Sequence, residues 1–500
     1  MLSVAGDALA LLLIAGVLVL CWLTWRRPFL GLGFLVAGMA FHNFVIMVLL
    51  QLGTFHVLVR AVQVWKEAIL ALLLAIALVR LWRAYQERDL PHLTSMDWLA
   101  VAFTVIVVAY LLIPNEVLGG HAGLNQRLAA FRLAALMPLL YAFGRTYRPA
   151  NDGELSAVAW LIVGAGAIVG AFGMIELFFV PTRDWLGWGV NQFSAWLGFH
   201  YGGPQGLPDN FFQTIAPDAY LRRMVSTYIS PLGIAYTALL VFPLAVIWLD
   251  AGDWRRERKA LAAIALALLL AGILLSVTRL ALFALAGEAV LMATLMRRRW
   301  LNALLVLVLI GVVAVIFGYP RIGPVVDSHL QPTSVRGGIV SSSDPSLLEH
   351  IRTVLADLRV AVAHPLGQGL GNSGSPAVRF AGSGSSADYA PGESAVLTMF
   401  VDTGVIGGLA YVALYLFGIA QAVSALLRTQ RRGLEAALPM VAVVGGLALI
   451  PITMTSDLWG DFSVTFLFWW AVGSCAWSPQ PRPAQYRFEL RTLPAARQPL

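Results

Sequence analysis

The side chains best suited to chemistry lie in a polar, glycine-rich stretch, residues 336–407, within an otherwise strongly apolar chain. Glu393 and Ser394 stand there directly before an apolar run, which contains Gly404 and Gly407. A carboxylate at such a position can accept a proton from a hydroxyl group, above all if partial burial raises its pKa toward neutrality. The alternative interpretation is an N-terminal helix cap, where a carboxylate favours the helix dipole.

A glycine-rich segment leads up to this carboxylate. His364 precedes Pro365 and is either a second base or the end of a helix, of which we favour the helix end. Gly367 and Gly369 follow, and such glycines supply tight turns and backbone amides for an anion. Residues 369–374 spell GxGxxG, but they follow a predicted helix rather than a strand, so we do not expect a dinucleotide site.

Three arginines are placed to bind a negatively charged group. Arg223 lies where a long loop meets an apolar run, Arg279 lies at the tip of a tight hairpin, and Arg352 lies in a predicted surface helix. A guanidinium group keeps its charge and forks onto phosphate oxygens, which suits a diphosphate at the membrane surface. For Arg223 and Arg279 the alternative is a helix-end side chain that snorkels to water, and for Arg352 it is a pair with Glu349.

The composition indicates which elements must position these residues. With 59% hydrophobic and 12% charged residues, the chain is too apolar for a soluble globular protein. Its apolar runs of spanning length predict an all-α polytopic membrane protein of about 12–13 transmembrane helices. The two cysteines lie in apolar runs near opposite ends, and the sequence motifs of metal and nucleotide sites are missing, so we expect neither a metal nor a cofactor.

Basic residues decide the expected orientation. They cluster in alternate short loops, which we assign to the cytoplasm. This bias, together with lipid headgroups, accounts for the net charge of +7 without any nucleic-acid partner. The predicted regions are N-terminal transmembrane helices (1–180), a first external loop (181–231), central transmembrane helices (232–318), a large external loop (319–393), C-terminal transmembrane helices (394–478) and a cytoplasmic tail (479–500).

The large external loop contains a predicted amphipathic helix. Ser346 and Glu349 have the spacing of a capping box, and His364 with Pro365 ends the helix. The apolar stripe consists of Leu347, Leu348, Ile351, Val354, Leu355, Leu358 and Val362. We expect this helix to lie across the membrane surface or to cap the bundle, as a lid over a site at the external boundary.

Four motifs occur in order between residues 127 and 408. They are Arg223 with Ser226-Thr227-Tyr228 and Ser230-Pro231, the run from Ser276 to Arg279, Arg352 leading into His364-Pro365-Leu366-Gly367-Gln368-Gly369, and Glu393-Ser394 with Gly404 and Gly407. As a set they resemble the O-antigen ligase and O-antigen polymerase superfamily of bacterial envelope glycosyltransferases. The resemblance implies a multi-pass protein of the bacterial inner membrane with its active site on the periplasmic side. It also implies metal-independent transfer of a glycan from a polyprenyl (undecaprenyl) diphosphate donor to a glycan acceptor, with membrane lipids and other polysaccharide-assembly proteins as partners.

One position departs from that family. The ligase branch has histidine as its proposed base where this chain has Glu393, and a carboxylate can take the same proton. The hypothesis therefore has Glu393 as the base and Arg223, Arg279 and Arg352 on the diphosphate. The supporting residues are His364, Gly367, Gly369 and Ser394.

The same departure bears on the acceptor. It favours a polysaccharide polymerase over an O-antigen ligase acting on the lipid A core, and a protein-acceptor oligosaccharyltransferase is the third alternative. A transporter is less expected, because charge within the apolar runs is scarce, with Arg132 the clearest case, and paired broken helices are missing.

Overall fold

The computed structural model describes residues 2–89, 92–199, 203–216, 219–251, 256–324, 345–380, 392–429 and 433–476. The predicted cytoplasmic tail, residues 479–500, lies outside the described residues, as do residues 325–344 and 381–391 of the predicted large external loop. The side chains of the predicted capping box, Ser346 and Glu349, also lie outside what the structure describes.

Helices make up most of the described chain. The first ten α-helices are α1 (Leu2–Arg26), α2 (Pro28–Gln51), α3 (His56–Gln63), α4 (Trp65–Gln86), α5 (Ser95–Leu112), α6 (Leu124–Thr146), α7 (Asp152–Phe179), α8 (Thr182–Gly187), α9 (Val190–Leu197) and α10 (Pro231–Ala251). The remaining described α-helices are α11 (Arg256–Leu275), α12 (Arg279–Met296), α13 (Arg299–Phe317), α14 (Tyr319–Ile322), α15 (Pro345–Ala363), α16 (Gly374–Phe380), α17 (Ala395–Arg428), α18 (Ala437–Met440), α19 (Gly446–Thr453) and α20 (Phe462–Ser474). A π-helical turn, Val441–Gly445, joins α18 to α19.

Twelve helical segments in the described part of the chain are long and apolar enough to cross a membrane. This confirms the predicted all-α polytopic membrane fold. Helix α10 is buried along nearly its whole length, whereas α1 exposes Leu12, Leu18 and Trp22. Apolar side chains on the outside of a helix bundle are matched by lipid tails, so α1 lies at the periphery and α10 at the centre. The shorter apolar helix α20 is buried among the others.

The described parts of both predicted external loops lie at the same end of the bundle, which we call the loop face. Phe199 of the first loop, Arg379 and His350 of the second, and the turn at 455–461 all line one cavity there. The sidedness of the loop face relative to the cell stays a prediction.

A buried ion pair fastens the first loop to the bundle. Strands β1 (Phe212–Ala216) and β2 (Ala219–Arg222) form an antiparallel hairpin. At its end the Arg222 Nη2 atom lies 2.7 Å from Oε1 of Glu176, a fully buried carboxylate of α7. The indole nitrogen of Trp185 donates to the same oxygen at 3.1 Å. This anchor fixes the path of the chain that carries Arg223.

Helix α17 is interrupted at Gly404, where the backbone has φ 65° and ψ −168°. Residues 365–369 run beside the interruption and pair with its backbone. The amide of Gln368 donates to the Val401 carbonyl at 2.7 Å, and the amide of Gly369 donates to the Asp402 carbonyl at 3.0 Å. Backbone groups that the interruption would leave unpaired are thereby satisfied by the glycine-rich segment.

Helix α15 packs against the start of α17 with its polar face inward. Asp357 is fully buried and its Oδ1 atom accepts the Gly392 amide at 2.9 Å. Burial raises the pKa of Asp357, and the negative charge of Glu393 adds to that rise, against the amide hydrogen bonds. Most of the predicted apolar stripe is exposed instead, as Leu355 and Val362 show. Of the two placements expected for this helix, its exposed stripe favours the membrane surface.

Candidate functional site

A cavity of about 860 Å³ opens at the loop face. Its wall is built from the middle of α2, from the first turns of α4, α6 and α10, from α16, and from the turn that precedes α20. Glu393 and His350 lie at its edge, and Phe199, Tyr228 and Tyr236 contribute aromatic rings. A cavity of this size, lined by charged, aromatic and aliphatic side chains, can hold a small-molecule ligand that carries a charged group.

Three cations share one side of the cavity. Lys66 and Arg132 each lie 3.5 Å from a carboxylate oxygen of Glu67. Both also lie over the ring of Phe462, with Lys66 Nζ at 5.7 Å and the Arg132 guanidinium at 5.0 Å from its centroid. Arg379 of α16 is close enough that, after burial, the charge of Arg132 lowers its pKa. Arg60 also lines the cavity. Around Glu67 the basic side chains outnumber the carboxylate, an arrangement that suits an anion.

Two half-buried carboxyl groups lie on the side formed by the turn before α20. Oδ2 of Asp457 accepts the Ser375 amide at 3.0 Å, and burial raises the pKa of Asp457 against that hydrogen bond. Burial raises the pKa of Asp461 to about 7, while the Ser463 amide opposes the rise. Near neutral pH the Asp461 carboxyl is therefore partly protonated, which reduces the negative charge that it sets against the cations.

Glu393 lies immediately before α17, about a third exposed. Its Oε2 atom lies 2.5 Å from Nδ1 of His350 and accepts the Thr353 hydroxyl at 2.9 Å. Burial alone would raise the pKa of Glu393, but the hydrogen bond and electrostatic interaction with His350, with the Thr353 hydroxyl, outweigh it and hold the pKa below its usual value. The expectation that burial raises this pKa toward neutrality is therefore wrong, because two donors from α15 stabilise the carboxylate.

Ser394 is the helix cap at this point. Its hydroxyl accepts the Leu397 amide at 3.1 Å and donates to the Thr453 carbonyl at 3.3 Å. The capping role considered for Glu393 therefore belongs to its neighbour. Glu393 is left pointing toward α15 and the cavity.

The glycine-rich segment binds a carboxyl group of the chain itself. The amides of Gly371 and Asn372 donate to the two carboxylate oxygens of Asp402 at 2.9 and 3.2 Å. Gly367 and Gly369 adopt left-handed backbone conformations, with φ of 75° and 92°. These glycines secure the interruption of α17, and they are not part of the cavity wall.

Arg223 and Arg279 lie close together, as the hypothesis requires, but neither lines the cavity. Nε of the buried Arg223 donates to the Ser276 carbonyl and its Nη2 to the Thr278 hydroxyl, both at 2.8 Å. Burial lowers the pKa of Arg223 to about 10, with Tyr236 opposing and Arg279 adding to the fall. Arg223 thus fastens the turn that carries Arg279. Tyr236, which interacts with Arg223, lines the cavity, whereas Arg223 does not.

Arg352 and His364 lie away from this cavity on α15. Arg352 is exposed. His364 follows the last turn of the helix, where its amide donates to the Val360 carbonyl at 3.0 Å. That position agrees with the helix end that we favoured for His364. Contact between Arg352 and a diphosphate stays a prediction.

The sequence hypothesis missed most of the charged residues that line the cavity. Lys66 and Glu67 begin one apolar helix, and Arg132 lies within another. A charged residue within a membrane span indicates a functional site, and this was the sequence signal for these residues. Arg379 and His350 carry no such signal, because only the fold brings them to the cavity. No protein-family model and no curated protein matches this chain.

Proposed function

We propose that this chain is a membrane glycosyltransferase that moves a glycan from a polyprenyl diphosphate donor to a sugar hydroxyl at the predicted external face of a bacterial inner membrane. One observation carries the proposal: Lys66, Arg132 and Arg379 share a single loop-face cavity with Glu393. The cations suit a diphosphate headgroup held at the membrane boundary, and the carboxylate end suits a proton acceptor.

In the proposed reaction the acceptor hydroxyl oxygen attacks the anomeric carbon of the donor glycan. The bond from that carbon to the diphosphate oxygen breaks, and its electron pair leaves with the diphosphate. The acceptor proton passes to the Glu393 end of the cavity. Cations that neutralise the leaving group lower the barrier, so the reaction needs no metal, and a single displacement inverts the anomeric centre. EDTA is expected to leave the rate unchanged.

The favoured acceptor is the growing glycan of a polysaccharide polymerase, because Glu393 departs from the histidine of the ligase branch. Transfer to the lipid A core, transfer to a protein, and transport remain the competing hypotheses. They differ in the lipid-linked material that cells should accumulate when the protein is lost.

The test compares lipid-linked glycans from cells with and without the protein. A polymerase predicts that a single polyprenyl-linked repeat accumulates, and a ligase predicts a finished polymer. If neither accumulates, the proposal is wrong and a transporter becomes the better hypothesis. Complementation with Arg132→Gln should fail to clear the lipid-linked glycan, whereas the exposed Arg83→Gln in α4, which is not part of the cavity wall, should clear it.

A further inference from the structure

The Glu393 carboxylate and the His350 imidazole form a pair at the edge of the cavity. Nδ1 of His350 and Oε2 of Glu393 are 2.5 Å apart, and both residues line the cavity. Thr353 donates to the same oxygen, and Asp357 holds the amide of Gly392, one residue before Glu393. Spacings of three and four residues put these three side chains of α15 on one helical face. The pair is therefore built into the contact between α15 and the start of α17.

We propose that His350 is the proton acceptor of the transfer reaction and that Glu393 is a positioning residue that orients its imidazole. This inference rests on the proposed function. The hydrogen bond assigns the proton to Nδ1, so the accepting nitrogen is Nε2. About half of the His350 side chain is exposed, which allows an acceptor hydroxyl to reach it.

The carboxylate of Glu393 and the imidazole of His350 differ in how readily they accept a proton. His350 and Thr353 hold the pKa of the Glu393 carboxylate below its usual value, which makes that carboxylate a weak base near neutral pH. The imidazole of histidine is the side chain that most often acts as a general base in enzymes. A carboxylate bonded to Nδ1 fixes the ring and stabilises the imidazolium that forms, as in other carboxylate–histidine pairs.

In this step the acceptor oxygen forms its bond to the anomeric carbon while its proton moves to Nε2 of His350. The bond from the anomeric carbon to the diphosphate breaks, and the diphosphate leaves with the electron pair. His350 is then an imidazolium beside the Glu393 carboxylate, and it returns its proton to water. Charge and atoms balance without an added reagent.

The first experiment needs no glycan. Diethyl pyrocarbonate acylates unprotonated imidazole, and the modified peptide that contains His350 can be quantified by mass spectrometry in the purified full-length protein. Because the Glu393 carboxylate favours the protonated ring, Glu393→Gln should speed modification of His350 severalfold at neutral pH. Glu393→Asp should give a smaller change, and the exposed His121 should react equally in all three proteins. An unchanged His350 rate in Glu393→Gln overturns the pairing.

The second experiment measures transfer in proteoliposomes supplied with an undecaprenyl-diphosphate-linked oligosaccharide. His350→Ala should slow transfer by about 10²- to 10⁴-fold, and added imidazole should restore part of the rate. His121→Ala should transfer at the wild-type rate. Wild-type transfer by His350→Ala, or no rescue by imidazole, overturns the assignment of His350. No transfer by the wild-type protein overturns the proposed function, while the modification experiment still decides the pairing.

Discussion

The backbone of Gly367 lies directly against the interruption of α17 at Gly404. A Cβ atom added to Gly404 would come within 2.8 Å of the Gly367 nitrogen, and φ of 65° with ψ of −168° is a conformation open almost only to glycine. The glycine-rich segment and the interruption are thus one interlocked unit, and each requires the other.

Gly404→Ala should destabilise the protein by about 1–3 kcal/mol, since the alanine must be strained or the interruption must rearrange. Thermal unfolding in detergent measures the loss. The matched control is Gly164→Ala in α7, where nothing lies within 4 Å of the new Cβ atom. Equal unfolding temperatures for the two variants would show that the interruption is unimportant for stability.

Arg132→Gln and Arg379→Gln should each weaken binding of a polyprenyl diphosphate, because each removes a charge-assisted contact worth on the order of 1.5–3 kcal/mol. Binding to protein in lipid nanodiscs can be measured with an undecaprenyl diphosphate probe. Arg83→Gln removes an exposed arginine of α4 and should bind normally. Wild-type affinity in both cavity variants would show that the cation cluster does not bind the diphosphate.

Arg279→Lys tests the prediction from the sequence that Arg279 contacts the diphosphate. If Arg279 forks onto the diphosphate, lysine keeps the charge but not the geometry, and the loss should be about 2–4 kcal/mol in transition-state stabilisation. The measurement is the rate of glycan transfer by Arg279→Lys and Arg279→Ala at normal expression. Full activity in Arg279→Ala would show that Arg279 does not bind the diphosphate. The cavity cations would then be the remaining candidates for that role.

Asp461 should make stability fall as pH rises. Its folded pKa of about 7 lies above the ordinary carboxyl value of 3.8, so the folded state binds more protons between these pH values and loses stability across that window. Above pH 7 the loss is complete. Unfolding temperatures measured from pH 5 to pH 8 should decline in the wild type and decline less in Asp461→Asn. Parallel curves for the two proteins would show that Asp461 does not cause the decline.

The predicted sidedness can be tested with single cysteines in a background that lacks Cys21 and Cys475. Asp209→Cys in the first long loop should react with an impermeant thiol reagent in intact spheroplasts. Lys259→Cys, at the opposite end of the bundle, should react only after lysis. The reverse pattern would place the cavity in the cytoplasm and remove the basis for a lipid-linked donor at the external face.

Hydropathy and charge predicted the transmembrane helices well, because each span satisfies its own backbone hydrogen bonds and needs only a sufficient apolar length. They could not predict which residues meet. Lys66, Arg132 and Arg379 come from three distant parts of the chain, and His350 reaches Glu393 only because α15 turns its polar face inward. Two backbone amides of the glycine-rich segment, where we expected an anion, instead donate to the Asp402 carboxyl group, a partner that the local sequence does not indicate.

The inward polar face of α15 has a practical consequence for handling the protein. Helix α15 presents most of its apolar stripe to the outside, and its inward side is held against the start of α17 through Thr353 and Asp357. An excised fragment spanning residues 319–393 would therefore expose both sides to water and is expected to aggregate or unfold. Antibodies raised against such a peptide would recognise a conformation that the intact, lipid-embedded protein does not display.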